Sequence, residues 1–143
     1  MIYWDASALV PLLVRESATH CVQSWLSENP VVVTWVWTRV EITSAVERRY
    51  REGRFSRQSR RDLLSRLETL AAQWDEITDA VTVRKYAVRL LARHRLRAAD
   101  AAQLGAAIVY CEGDPAGERF ACLDRRLAEA AEIEGFAVLG QEA

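Results

Sequence analysis

Asp5 follows the short apolar run Ile2-Tyr3-Trp4 and precedes Ala6-Ser7-Ala8, while Asp124 follows Phe120-Ala121-Cys122-Leu123 and precedes Arg125-Arg126-Leu127. Each pattern reads as a strand that delivers one carboxylate at its carboxyl end, the edge where ligands bind in an open parallel sheet. Two such acids suit a hard cation, which takes oxygen donors. Two more acids sit oddly for helix residues. Glu41 shares a helix face with Trp37, Ser44 and Ala45, and Asp100 shares one with Leu104, Ala107 and Cys111. A lone ionised carboxylate on such a face costs several kcal/mol, so it is expected to be paired with a cation, protonated, or open to a cleft. Taken singly, Asp5, Asp100 and Asp124 also read as helix-capping residues, and Glu41 as an ion-pair partner of Arg39 or Arg48. Taken together, four acids brought to one point would repel strongly, and a divalent cation is the usual remedy.

The elements that would bring them together alternate. A strand over about Ile2 to Asp5 leads into a short helix through Leu13, and Ser17 is placed to cap a second helix toward Glu28 that Asn29-Pro30 ends. The β-branched run Val31 to Trp35 is of buried-strand type, followed by a helix from about Trp37 to Glu52 that Gly53 terminates. Ser56 restarts a helix in which Leu63, Leu67, Leu70 and Trp74 keep helical spacing up to a strand at Glu76-Ile77-Thr78. Val83, Tyr86, Ala87, Leu90 and Leu91 mark another helix, and Ala99 to Glu112 one more. A turn at Gly113-Asp114-Pro115 then leads to a strand at Arg119 to Leu123, a helix at Arg125 to Glu134, and a last strand at Phe136 to Leu139. Parallel neighbours need crossover connections, so this alternation implies one three-layer α/β/α domain over 1–143.

A chain of 143 residues supports an ordinary hydrophobic core without staples. Cys21, Cys111 and Cys122 are odd in number and lack the C-x-x-C spacing of a metal or redox motif, which fits reduced, buried thiols in a cytosolic protein and argues against zinc. Met1 leads directly into a strand with no signal-like segment and no apolar run near the length of a membrane span, so a cytoplasmic protein with no membrane partner is expected. Net charge of −1 argues against a generally basic nucleic-acid binder. Charge is nevertheless segregated: eight arginines lie between Arg48 and Arg66, with Glu47, Glu52 and Asp62 as the acids in or beside that stretch. Arginine's planar fork matches phosphate, so Arg48, Arg49, Arg51, Arg54, Arg57, Arg60 and Arg61 are candidates to contact phosphate groups, the alternative being a solvated helical face with local ion pairs. Trp35, Trp37 and Trp74 are expected to pack the core.

Ile2 to Leu9, Val40-Glu41, the segment Leu96 to Leu104 and the segment Phe120 to Leu127 together resemble the four motifs of PIN-domain ribonucleases, and in order and spacing they are similar to VapC-type toxins. The resemblance implies a PIN-like fold, a five-stranded parallel sheet in order 3-2-1-4-5 whose switch point sets Asp5 beside Asp124. It also implies Asp5, Glu41, Asp100 and Asp124 as metal-binding, catalytic acids and Ser7 as the hydroxyl that steadies Asp5. The implied activity is Mg2+- or Mn2+-dependent endoribonuclease cleavage leaving 5'-phosphate ends, in the toxin of a toxin-antitoxin pair. The implied partners are an RNA such as tRNA or rRNA, a VapB-type antitoxin and a second copy in a homodimer. One departure is Cys122, two residues before the last acid, where the family commonly has Ser or Thr. A thiol is a much weaker hydrogen-bonding group, so a PIN-like RNA- or protein-binding module with weakened catalysis is the alternative. A phosphotransfer receiver would want a lysine at a strand end, but the only lysine, Lys85, lies in a helical pattern. A haloacid-dehalogenase-like phosphatase would want an acid where Ser7 stands.

Overall fold

The computed structural model describes residues 1–140. Its strands are β1 (Ile2–Trp4), β2 (Val32–Trp35), β3 (Asp75–Ile77), β4 (Arg119–Ala121) and β5 (Ala137–Leu139). They form one parallel sheet in the order β3-β2-β1-β4-β5, as expected. The helices are α1 (Ala6–Leu13), α2 (Thr19–Glu28), α3 (Thr38–Arg51), α4 (Arg57–Ala71), α5 (Ala80–Arg93), α6 (Ala98–Tyr110) and α7 (Arg125–Glu134).

Side chains alternate across a strand, and β1 shows what this does to the core. Ile2 and Trp4 face one layer, where they pack with Leu9 of α1, Val22 of α2, Ile42 of α3 and Leu67 of α4. Tyr3 faces the other, with Val83 of α5, Leu104 of α6 and Leu127 of α7, and its ring stacks on Phe120 of β4. The result is the expected three-layer α/β/α sandwich, with β1 at the centre and buried on both faces. Close packing of α5 on α6 depends on Gly105, where a Cβ would lie 3.0 Å from the Val83 carbonyl oxygen. Gly53, at φ +76°, follows the end of α3 as the sequence predicts, in a conformation that L residues rarely adopt.

Four local expectations change. Ser17 does not cap α2; the N-cap is Ala18, and Thr19 accepts from the Glu16 amide and donates to the Pro11 carbonyl, tying the α1–α2 turn together. β3 runs one residue earlier than expected, because Thr78 and Asp79 are taken up by the start of α5, whose first turn Asp79 caps through the Thr82 amide. β4 ends at Ala121 rather than Leu123, since Cys122 and Leu123 form the passage to α7. Of the three cysteines expected to be buried, only Cys122 is; Cys21 and Cys111 are half-buried on helix flanks.

Candidate active site

β1, β2 and β4 are parallel, so their carboxyl ends share one edge of the sheet, and the strand order reverses between β1 and β4, where an open α/β sheet forms its ligand crevice. Trp4 pairs with Ala121, and the Asp5 amide donates to the Ala121 carbonyl at 3.0 Å, so Asp5 leaves β1 directly beside the segment that carries Asp124. Both acids are also caps, as their alternative reading required. Asp5 accepts from the Ser7 amide at the start of α1, and Asp124 accepts from the Leu127 amide at the start of α7. Each cap uses one oxygen of its carboxylate: Oδ2 on Asp5 and Oδ1 on Asp124.

Ser7 lies where the resemblance put it. Its Oγ donates to Asp5 Oδ2 and accepts from the Leu123 amide at 2.9 Å, bolting the first turn of α1 to the segment after β4. Cys122 occupies the same corner, with its Sγ 3.6 Å from Asp5 Oδ2, 3.7 Å from Ser7 Oγ and 3.3 Å from the Asp124 carbonyl. Burial pushes this thiol far above its ordinary range, with the Asp5 charge adding to the effect, so it stays protonated and donates weakly.

Glu41 and Asp100 enter from the first turns of α3 and α6. Glu41 pairs with neither Arg39 nor Arg48; its Oε1 accepts from Gln103 Nε2 at 3.1 Å. Gln103 is fully buried and also donates to Thr38 Oγ1 while accepting from the Tyr3 hydroxyl at 2.7 Å. Thr38 and Thr34 share a hydrogen bond, and Thr34 donates to the Trp4 carbonyl, so a buried polar chain fixes Glu41 against β1 and β2. Sequence reasoning assigned Gln103 no role. Its signal was its place three residues after Asp100 on the same face of a helix.

Burial and neighbouring acidic charge raise Asp5, Glu41 and Asp100. Asp5 is 4% exposed, and desolvation lifts its pKa to about 6 against the lowering effect of its Ser7 bonds, with the Asp100 charge adding to the rise. Glu41 rises to about 7, chiefly by desolvation, then by the charge of Asp5 and also that of Asp100, while the Gln103 bond opposes it. Asp100 is raised by desolvation and by Asp124, with the nearby Arg97 charge opposing. Each of the four carboxylates therefore acts electrostatically on another, and among the described residues no basic side chain forms an ion pair with any of them. Among the described residues, too, no three His, Cys, Asp or Glu side chains are drawn tightly enough together to make a ready-made metal cage. The donor chemistry nevertheless suits a hard divalent cation: the four carboxylates offer oxygen donors only, three of them are raised by burial and by another acid's charge, and none has an ion-pair partner among the described residues.

The arginines of the α3–α4 lobe fare differently. Arg60 grips Glu47 through two nitrogens, Arg49 pairs with Glu16, and Arg54 lies 3.6 Å from Glu52. Three of the seven RNA-contact candidates are thus engaged in ion pairs. Trp74 is buried and Trp35 half-buried, as expected, but Trp37 is 58% exposed: as the N-cap residue of α3 it stands outside the helix's packed face.

A parallel sheet in the order β3-β2-β1-β4-β5 between two helical layers defines the class of open α/β folds that bind ligands at the switch point of the sheet. The family follows from comparison: the model of the PIN domain matches residues 2–133, and the chain belongs to that family. PIN domains are generally nucleases and bind RNA. A similar fold is seen in the crystal structure of PAE2754 from Pyrobaculum aerophilum, at a TM-score of 0.62 and 19% identity, with 96% of this chain and 87% of that one covered. No curated protein matches the chain. Among the described residues no helix is long and apolar enough to cross a membrane.

Proposed function

We propose that this single PIN domain is a metal-dependent endoribonuclease, the VapC-type toxin of a toxin-antitoxin pair, acting in the cytoplasm. The observation that carries the reading is the set of four mutually repelling carboxylates, from four different elements, with no ion-pair partner among the described residues. Asp5, Glu41, Asp100 and Asp124 would hold Mg2+ or Mn2+. When bound, such an ion supplies a water of lowered pKa and neutralises charge building on the phosphodiester. The chain's own residues set the stage for that chemistry. Ser7 holds one oxygen of the Asp5 carboxylate by hydrogen bonding, Gln103 does the same for Glu41, and the two caps hold Asp5 and Asp124 at the starts of α1 and α7. Near neutral pH the raised Glu41 carboxyl gives up its proton more readily once a cation is bound.

The toxin assignment rests on the motif resemblance and brings two proposed partners, a VapB-type antitoxin across the crevice and a second copy of the chain in a homodimer. The weakened-catalysis reading is supported by the thiol at Cys122, which reaches Asp5 and Ser7 only at long, sulfur-type distances. One assay separates the two. Purified protein is incubated with total RNA plus Mg2+ or Mn2+, with a chelator control, and the 5' ends of the products are mapped. Discrete metal-dependent cuts bearing 5'-phosphates are expected; binding of RNA without cleavage at any metal concentration would leave only the binding-module reading.

A further inference from the structure

The groove beside the acidic crevice has a chemistry of its own. It runs along the outer face of α3, with a volume of about 700 Å³, and at its head stands Trp37, the N-cap residue of α3, four residues before Glu41. The Glu41 amide donates to the Trp37 carbonyl at 3.2 Å, and helical spacing of this kind sets Cβ atoms ~6 Å apart, so Trp37 neighbours Glu41, one of the four acids. Trp4 and Trp74 are packed into the core, whereas Trp37 takes part in no aromatic pair among the described residues, and Val40 beside it is likewise exposed. Two guanidinium groups line the same groove, Arg39 and Arg51, neither in an ion pair among the described residues. Of the groove's acids, Glu47 is held by Arg60, with the Arg51 charge also acting on it, and Glu76 keeps its charge while accepting from the Trp74 indole N–H at 3.0 Å. The groove thus offers one flat aromatic face, one small apolar neighbour and two guanidinium groups that form no ion pair among the described residues.

That combination discriminates between occupants. A helix or strand of another protein would want a continuous apolar stripe, but Thr43 and Ser44 interrupt the lining directly after Val40. A nucleotide wants an aromatic plane for its base and a cation for its phosphate, and stacking on such a plane tolerates every base. We propose that Trp37, with Val40, Arg39 and Arg51, forms a stacking subsite for one unpaired nucleotide of single-stranded RNA, next to the phosphate to be cut. The inference rests on the nuclease reading and adds a residue that selects unpaired over paired RNA, since a base inside a duplex cannot offer its face.

The test uses a mixed-sequence single-stranded oligoribonucleotide, its fully paired duplex, and the wild-type, Trp37→Ala, Trp37→Phe and Arg51→Ala proteins, all with Mn2+. The expected result is a KM about tenfold higher for Trp37→Ala, with kcat within about twofold, and near-complete rescue by phenylalanine. Arg51→Ala, which tests the groove independently of the indole, should reduce the salt dependence of KM by a slope of about 0.7. The single-strand preference of the wild type should shrink in Trp37→Ala. If the wild type cuts the oligonucleotide and Trp37→Ala cuts it with unchanged KM and unchanged preference, the subsite is wrong while the nuclease reading survives. A wild type that neither binds nor cuts RNA overturns both. If Trp37→Ala changes the oligomeric state on size exclusion while KM stays put, the face is a protein interface and the proposal falls.

Discussion

Glu47 and Glu41 lie six residues apart on the same helix and live under opposite electrostatic conditions. Glu47 sits on the lobe between α3 and α4, where the Arg60 hydrogen bonds and charge hold its carboxyl below the usual range. Glu41 faces the crevice, where burial and the Asp5 charge push it up to about 7. The same contrast extends to Glu16, answered by Arg49, and to Asp5, answered by no cation among the described residues. An acid that has its arginine is part of the scaffold; an acid raised toward neutrality beside other acids is stored unfavourable energy that only a proton or a cation relieves.

The strongest way to break the contrast is to remove one crevice charge at nearly constant volume. Asp5→Asn and Asp100→Asn should each lower metal-dependent RNA cleavage by about a thousandfold, ~4 kcal/mol in the barrier, with unchanged circular dichroism. Wild-type rates in both purified variants would remove the catalytic assignment.

Metal and pH should act on the crevice and leave the lobe alone. The folded pKa values of Asp5 and Glu41 lie above their ordinary ones, so without metal their contribution to stability is complete below about pH 4 and is lost as pH rises through about 6 and about 7. Asp5→Asn should therefore gain melting temperature relative to wild type as pH climbs from 4 to 8. Mg2+ should stabilise the wild type most above pH 7, by ~2.7 kcal/mol at a hundredfold excess over its dissociation constant. A metal response that is flat across that pH range would contradict the shared site.

Gln103→Ala sharpens the comparison from beneath. It strips a fully buried Tyr3 hydroxyl and Glu41 of their partner, at a cost of ~1–3 kcal/mol. Denaturant midpoints measure that loss, and the acid limb of the cleavage profile should move to higher pH, because the bond that lowers Glu41 has gone. Cys122→Ser works the other way: a hydroxyl donating to Asp5 should lower its pKa, shift the acid limb downward and raise cleavage by about fivefold. The smallest effect belongs to the lobe. Glu16→Ala removes the partner of the half-buried Arg49 and should leave cleavage within about twofold of wild type; a large loss in steady-state rates would mean that lobe and crevice are coupled.

Much of the fold was legible because it is written in short range. The alternation at Ile2-Tyr3-Trp4, the β-branched run before Trp35 and the leucine spacing from Leu63 to Leu67 each report a local period that burial then satisfies. The acids were legible for the same reason, as charges that break an apolar pattern. Ser17 and Trp37 were misread because an N-cap depends on how the preceding turn is held, and an aromatic residue at a helix start belongs to neither face of the pattern.

By itself, then, the sequence determined which residues are out of place: four acids on apolar ground and a thiol where a hydroxyl is common. Only the tertiary structure decided who answers them. Gln103 reaches Glu41 across 62 residues, Ser7 meets Leu123 across 116, and Arg49 finds Glu16 across 33, because strand order sets which helix starts share a crevice and which face outward. No local periodicity carries that information, since pairings so distant follow from the packing of the whole sheet.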